Sequence, residues 1–199
     1  MRRLKVLAVE DEGLVAASLI AQLGDLGHEV VALARDGQEA LEYASKLAPE
    51  LIIMDVRIPV MDGIEATRSI LGQKPVPIVL LTAYADEDLV RRAGDAGVMA
   101  YLLKPVSGDQ LRSTIEVAWA RFREFQALRL EVRDLKEALE TRKLVEQAKG
   151  VLMRRLSLSE SEAFRRMQET SRSKRVSLKE LAAMILKAEE LLTLFEERS

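Results

Sequence analysis

The sequence predicts an α/β protein: a five-stranded, doubly wound parallel sheet, then a long helix and a small all-α domain of three helices. Three observations carry this. In the first half of the chain, five short apolar runs alternate with amphipathic stretches. All five prolines lie at or before Pro105, and nine of the ten glycines at or before Gly108. From Asp109 to Ser199 the only such residue is Gly150, so the second half can be almost wholly helical.

The apolar runs are LKVLAV (4–9), HEVVAL (28–33), LIIM (51–54), PIVLL (77–81) and VMAYLL (98–103). Such runs, bounded by turn residues, suit strands covered on both faces. Helix starts are marked between them by Asp36 with Glu39 and later by Ser107 with Gln110, at capping-box spacing. Beyond Ser107, the residues Ala118, Arg121, Phe125, Leu128, Val132, Leu135 and Leu139 follow a 3-4 spacing with charges between them. That pattern reads as a coiled-coil seam through which two copies pair, or as one face of a helix docked on its own domain. Two further helices start at Ser159 with Glu162 and at Ser177 with Glu180. The expected division is 1–120, a helical linker 121–141, and 142–199.

Composition narrows the class. At 199 residues, 48% apolar and 31% charged, the chain is that of a globular protein. No apolar run reaches the roughly 18 residues of a membrane span, and Glu10 and Asp11 interrupt the N-terminal run too early for a signal peptide. Cysteine is absent, which excludes disulfides and thiolate metal sites and fits a cytoplasmic protein. Asparagine is absent too, a mild thermophile signal that a GC-rich genome explains equally well. Charge is uneven: residues 1–118 carry 12 Lys+Arg against 18 Asp+Glu (−6), whereas 142–175 carry 10 against 4 (+6). The two parts should meet different partners.

In doubly wound sheets the ligand site gathers at the carboxyl ends of the central strands. Those ends here are Glu10-Asp11, Asp55, Thr82 and Lys104-Pro105. Three carboxylates brought together repel, and shift their pKa values or take a cation. Hard oxygen donors partly open to water suit Mg²⁺. Lys104 supplies a point charge for an anion and Thr82 a hydroxyl, which makes a phosphoryl-transfer site with Asp55 as nucleophile. The single histidine, His28, precedes a strand and is expected to be structural or exposed.

The segments VEDE, MDVRIPVMDG, LTA and YLLKP resemble the four signatures of response-regulator receiver domains, over about residues 3–120. The resemblance implies a flavodoxin-like sheet of order 2-1-3-4-5 and a phosphoacceptor signalling protein rather than an enzyme. It implies that a sensor histidine kinase phosphorylates Asp55. Mg²⁺ would bind Asp11, Asp55 and the backbone carbonyl of Arg57, with Glu10 nearby. Lys104 would pair with the phosphate, its bond to Pro105 would be cis, and Thr82 with Tyr101 would form the switch pair. Receivers commonly have Met where this chain has Ile58.

No catalytic constellation is visible in the tail. Val145, Ala148, Leu152, Ala163, Met167, Leu178, Leu181 and Ile185 fall at core spacings. The segments EQAKGVLM and EAFRRM, over about 142–192, resemble the ANTAR domain of transcription antitermination regulators. That likeness implies binding of an RNA stem-loop in the leader of a target transcript. Lys149 is expected to project outward as a contact, with Arg154, Arg155, Arg172, Lys174 and Arg175 reaching phosphates, while Ala148 and Gly150 pack helices. Phe164 and Phe195 are the only aromatic residues after the linker, so stacking on aromatics should be limited. Two alternatives stay open. SLKELA resembles the first helix of a DNA-binding helix-turn-helix, although an acidic segment follows it, and the tail is also suited to a protein-interaction bundle.

Overall fold

The computed structural model describes residues 2–84 and 87–196, without the side chains of 195 and 196; the Phe195 side chain and residues 197–199 of the expected last domain therefore lie outside the description. Five strands form one parallel sheet: β1 (Lys5–Val9), β2 (Glu29–Ala34), β3 (Leu51–Asp55), β4 (Ile78–Thr82) and β5 (Ala100–Leu103). Their order is β2-β1-β3-β4-β5. Helices α1 (Gly13–Asp25), α2 (Gly37–Leu47), α3 (Gly63–Gln73) and α4 (Glu87–Ala96) connect them.

Alternation along the central strands explains why both sheet faces need cover. Leu7, Val9, Ile52, Met54, Ile78 and Leu80 point to one side, where Ala40 of α2, Ile64 of α3 and Ala93 of α4 pack. Their neighbours Val6, Ala8, Leu51, Ile53, Val79 and Leu81 point to the other, against Leu19 and Leu23 of α1. Leu111, Ile115 and Ala118 close that second core. They belong to α5 (Gly108–Leu156), a single helix of 49 residues.

The chain divides into two compact units, residues 1–126 and 127–199, and α5 runs through the division without a break. In the second unit, α6 (Glu160–Lys174) and α7 (Leu178–Glu196) pack on the end of α5. Val145, Ala148, Met167, Leu181 and Ala182 form the core there, with Leu152, Leu178 and Ile185 half-buried around it. The start signals act as expected. Ser159 accepts from the Glu162 N–H while Glu162 accepts from the Ser159 N–H, and Ser177 and Glu180 repeat the exchange. Each such cap stabilises its helix by about 1 kcal/mol.

The expected seam needs correcting at its start. Ala118 is fully buried in the sheet's core and cannot face a second chain. Further along, Leu128, Val132, Leu135 and Leu139 are 43–69% exposed, so they are not covered by their own domain.

His28 is buried, and its Nδ1 accepts from the Leu4 N–H at 3.3 Å. Its Nε2 finds no partner among the described residues. Burial pushes the imidazole pKa below its ordinary value. The folded state therefore holds the ring neutral at a pH where the unfolded chain would protonate it. Its contribution is complete above the unfolded value of about 6.5 and is lost as pH falls below it, at no more than about 1.4 kcal/mol per pH unit. Denaturant titrations between pH 7.5 and 5.0 should show a smaller loss of stability in His28→Gln than in the parent chain. Parallel pH profiles would show that the ring is not held neutral.

Candidate functional site

Parallel strands put their carboxyl ends on one edge, and the strand order brings four of them side by side. Glu10 follows β1, Asp55 closes β3, Thr82 closes β4 and Lys104 follows β5. Ladder hydrogen bonds continue past the strands: the Glu10 N–H donates to the Ala34 carbonyl (3.0 Å), Val56 to Leu81 (2.9 Å) and Lys104 to Thr82 (2.8 Å). The residues that carry charge are therefore fixed by the sheet's own backbone.

Lys104 lies at the centre. Its Nζ donates to Asp55 Oδ2 at 2.5 Å and to Glu10 Oε2 at 2.6 Å. Glu10 is completely buried and Asp55 nearly so, while Lys104 is half-buried. Burial raises the Glu10 pKa, against the opposing pull of Lys104. Burial also works against the Lys104 charge, but the hydrogen bonds to Asp55 and Glu10 outweigh it and raise its pKa. The remaining Asp55 oxygen, Oδ1, accepts from the Arg57 N–H at 3.1 Å.

Exposed Asp11 completes an acidic group: one carboxylate oxygen each from Glu10, Asp11 and Asp55 lie within 4.8 Å of one another. Three carboxylates against one lysine leave a formal charge of −2, and hard oxygens on a partly open rim fit a small divalent cation. A cavity of about 540 Å³ opens beside them, lined among others by Asp11, Arg57, Asp62 and Arg92. Asp62 caps α3 through the N–H groups of Ile64 and Glu65, and Arg92 of α4 reaches it at 3.0 Å.

The remaining site residues predicted from sequence fall as follows. The Thr82 hydroxyl donates to the Tyr84 carbonyl at 2.7 Å, and the Arg57 guanidinium lies over the Tyr84 ring, 5.5 Å from its centroid. Tyr101 is exposed on the edge strand, and the Lys104–Pro105 bond is cis. Sequence reasoning missed Gly63. A Cβ there would stand 2.3 Å from the Asp55 carbonyl oxygen, so only glycine lets α3 start so close to Asp55. The Asp-Gly pair after a strand was the available signal.

Lys149 requires correction. It does not project outward but is 7% exposed, held between Glu146 of its own helix (2.9 Å) and Glu160 of α6 (2.7 Å). Those hydrogen bonds, that to Glu160 foremost, raise its pKa. The physical reason is its place beside Ala148 at the edge of the buried face, where an ammonium needs a carboxylate partner. Arg154 (3.8 Å) and Arg155 (2.9 Å) approach Glu189 of α7. Arg172, Lys174 and Arg175 are exposed at the end of α6, and Arg175 takes the left-handed conformation that closes the helix. No described helix is long and apolar enough to cross a membrane.

Comparison with known proteins matches residues 6–116 to the response regulator receiver domain and residues 133–186 to the ANTAR domain. The chain is 47% identical over 182 residues to the transcriptional regulatory protein PdtaR of Mycobacterium tuberculosis, across 92% of this chain and 89% of that protein. It is 39% identical over 111 residues to the transcriptional regulatory protein LnrK of Bacillus subtilis, across 54% of this chain and 50% of that one. Among solved structures, the chemotaxis protein CheY4 of Vibrio cholerae matches with a TM-score of 0.55 and 34% identity, covering 58% of this chain and 98% of its own. The receiver domain of a diguanylate cyclase from Desulfovibrio desulfuricans matches with a TM-score of 0.58 and 32% identity, over 61% and 98%.

Replacing Gly63 by Ala should cost about 1–3 kcal/mol, because the clash is with backbone and not with a yielding side chain. Urea denaturation of Gly63→Ala measures it. A variant as stable as the parent would show that α3 can withdraw from Asp55 freely.

Proposed function

Because this chain belongs to the response-regulator receiver family and carries an ANTAR output domain, we propose that it accepts a phosphoryl group on Asp55 and regulates transcription by binding an RNA stem-loop. The observation that carries the first half is Lys104 held against Asp55 and Glu10 at the carboxyl edge of the sheet. The donor would be a phosphohistidine of a sensor histidine kinase. A carboxylate oxygen of Asp55 attacks phosphorus; the P–O bond forms as the P–N bond breaks, and the electron pair leaves with the imidazole. Glu10, Asp11, Asp55 and the backbone carbonyl of Arg57 would hold Mg²⁺, which when bound offsets negative charge on the phosphoryl oxygens. Lys104 exchanges part of its contact with Asp55 for the phosphoryl group. The Thr82 hydroxyl leaves the Tyr84 carbonyl for a phosphoryl oxygen, and Tyr101 turns inward to fill the space it vacates. Water attack on phosphorus then returns the carboxylate and inorganic phosphate.

The second half rests on the ANTAR match and on the +6 excess of residues 142–175. Arg154, Arg155, Arg172, Lys174 and Arg175 reach phosphates of the stem, in a transcript leader and hence in the cytoplasm; Lys149 contributes by holding α6 to α5. A DNA-reading or protein-docking output is less well supported. In α7, Lys179 and Lys187 are outnumbered by Glu180, Glu189 and Glu190, so it lacks the basic face of a recognition helix.

One experiment tests both halves. With a small phosphodonor such as acetyl phosphate and Mg²⁺, the full chain should acquire one acid-stable, base-labile label and then bind an RNA hairpin more tightly than duplex DNA of equal length. Affinity should fall steeply with salt if phosphates dominate. Asp55→Asn should lose the label and the donor-dependent gain together, since an amide is no nucleophile. Label retained in Asp55→Asn removes the acceptor assignment; equal affinity for duplex DNA across salt concentrations removes the RNA assignment.

Leu128, Val132, Leu135 and Leu139 are proposed to pair two copies. Leu128→Glu with Leu135→Glu should sediment as a monomer with or without phosphodonor. An unchanged dimer would place the contact elsewhere.

A further inference from the structure

We infer that the cavity between α5, α6 and α7 takes one unstacked base of an RNA loop, with Phe164 as its stacking wall; this rests on the RNA reading above. The cavity measures about 660 Å³, within the range of roughly 300–1,000 Å³ typical of small-ligand sites. Ala138, Val145 and Leu178 give it apolar walls alongside Phe164. Phe164 is 37% exposed, although it is the largest apolar side chain of α6. The buried ammonium of Lys149 lies 5.9 Å from its ring centroid, fixed in turn by Glu160. That contact biases the ring's orientation before any ligand arrives, which lowers part of the ordering cost of binding.

Charge decides the class of occupant. Two cations, Arg142 and Lys179, line the cavity with two carboxylates, Glu137 and Glu146. Lys179 approaches Glu137 at 3.6 Å, and Glu146 is paired with Lys149 at 2.9 Å. A phosphate would meet those carboxylates at close range and be repelled. A flat, neutral group with donors and acceptors on its edge meets none of that repulsion. It can use the carboxylate oxygens, the Arg142 guanidinium and the Thr141 hydroxyl, which already donates to the Glu137 carbonyl at 2.8 Å and keeps acceptor capacity. A nucleobase has that chemistry, and unpaired loop bases are what RNA offers for stacking on aromatic and guanidinium planes. The excess positive charge elsewhere in 142–175 attracts the backbone that carries the base.

The test uses full-length protein treated with acetyl phosphate and Mg²⁺, and fluorescent hairpins that share one stem. Their loops are oligo(A), oligo(G), oligo(C), oligo(U) or abasic, all of one length. The best base-bearing loop should bind about 10-fold or more tightly than the abasic loop, as expected for one aromatic stack. Ala138→Phe, which fills the cavity from an exposed position, and Phe164→Ala should both remove that preference. Neither should change binding of the abasic hairpin or the salt slope, and Phe164→Tyr should keep the preference. Loop preference that survives Ala138→Phe, or hairpin binding without any loop preference in the parent chain, overturns the base site and leaves RNA binding standing. A changed monomer–dimer equilibrium in Ala138→Phe with loop preference intact overturns it in favour of a second copy. No hairpin bound by the parent chain overturns both readings.

Discussion

The contact of Lys104 with Asp55 and Glu10 is the constraint around which the first unit is arranged. Buried carboxylates each cost several kcal/mol unless a cation and hydrogen bonds compensate them. The compensation here comes from a different strand end than the charges it serves: Glu10 follows β1, Asp55 closes β3 and Lys104 follows β5. The sheet places β1 next to β3, with β4 between β3 and β5, and this order gives one lysine reach to both carboxylates. The strand order and the charge pattern therefore depend on each other. A shift of one residue in any of these strands would turn the terminal side chain to the opposite face.

Helix α5 shows how one continuous element serves several environments. Leu111, Ile115 and Ala118 cover the sheet; Leu128, Val132, Leu135 and Leu139 are exposed; Val145 and Ala148 enter the second core. With no glycine or proline between Gly108 and Gly150, nothing in the backbone interrupts it. Its division into parts is a matter of which side chains find cover, not of where the helix stops.

The sheet and its strand ends were legible because period-2 burial and turn residues are local signals. The five apolar runs lie within a residue or two of the observed strands, and Asp55, Thr82 and Lys104 fall at the ends where ligand chemistry gathers. What was not legible depends on contacts between elements distant in sequence. Lys149 looks like a surface lysine until Glu160, eleven residues on and in another helix, is seen beside it. Ala118 fits a heptad as well as it fits the sheet's cover, and only the packing of α5 decides between them. Gly63 and the wall formed by Phe164 were missed for the same reason: close approach of one backbone to another, or of three helices, leaves no periodic trace. The Arg57 carbonyl, the cis bond and the switch pair came from family resemblance and not from the residues alone.

Charge limits how the two halves can be coupled. The first part of the chain, residues 1–118, has a formal charge of −6. Asp55 already carries one of those negative charges, so an acyl phosphate in its place would add roughly one more. By its field alone, that addition would repel RNA and weaken binding, in the opposite sense to activation. Surface charge is also screened beyond a Debye length of about 8 Å at physiological ionic strength. An increase in RNA affinity on phosphorylation therefore has to come from a change in shape or assembly that overcomes the electrostatic penalty. Pairing is the economical route. Two basic output domains on one transcript double the counterions released, whereas the extra phosphoryl charge on each first unit stays inside a pocket already built around Lys104. The uncovered leucines of α5 have the chemistry for such pairing, so the assembly state of the chain is where the chemistry at Asp55 and the output should meet.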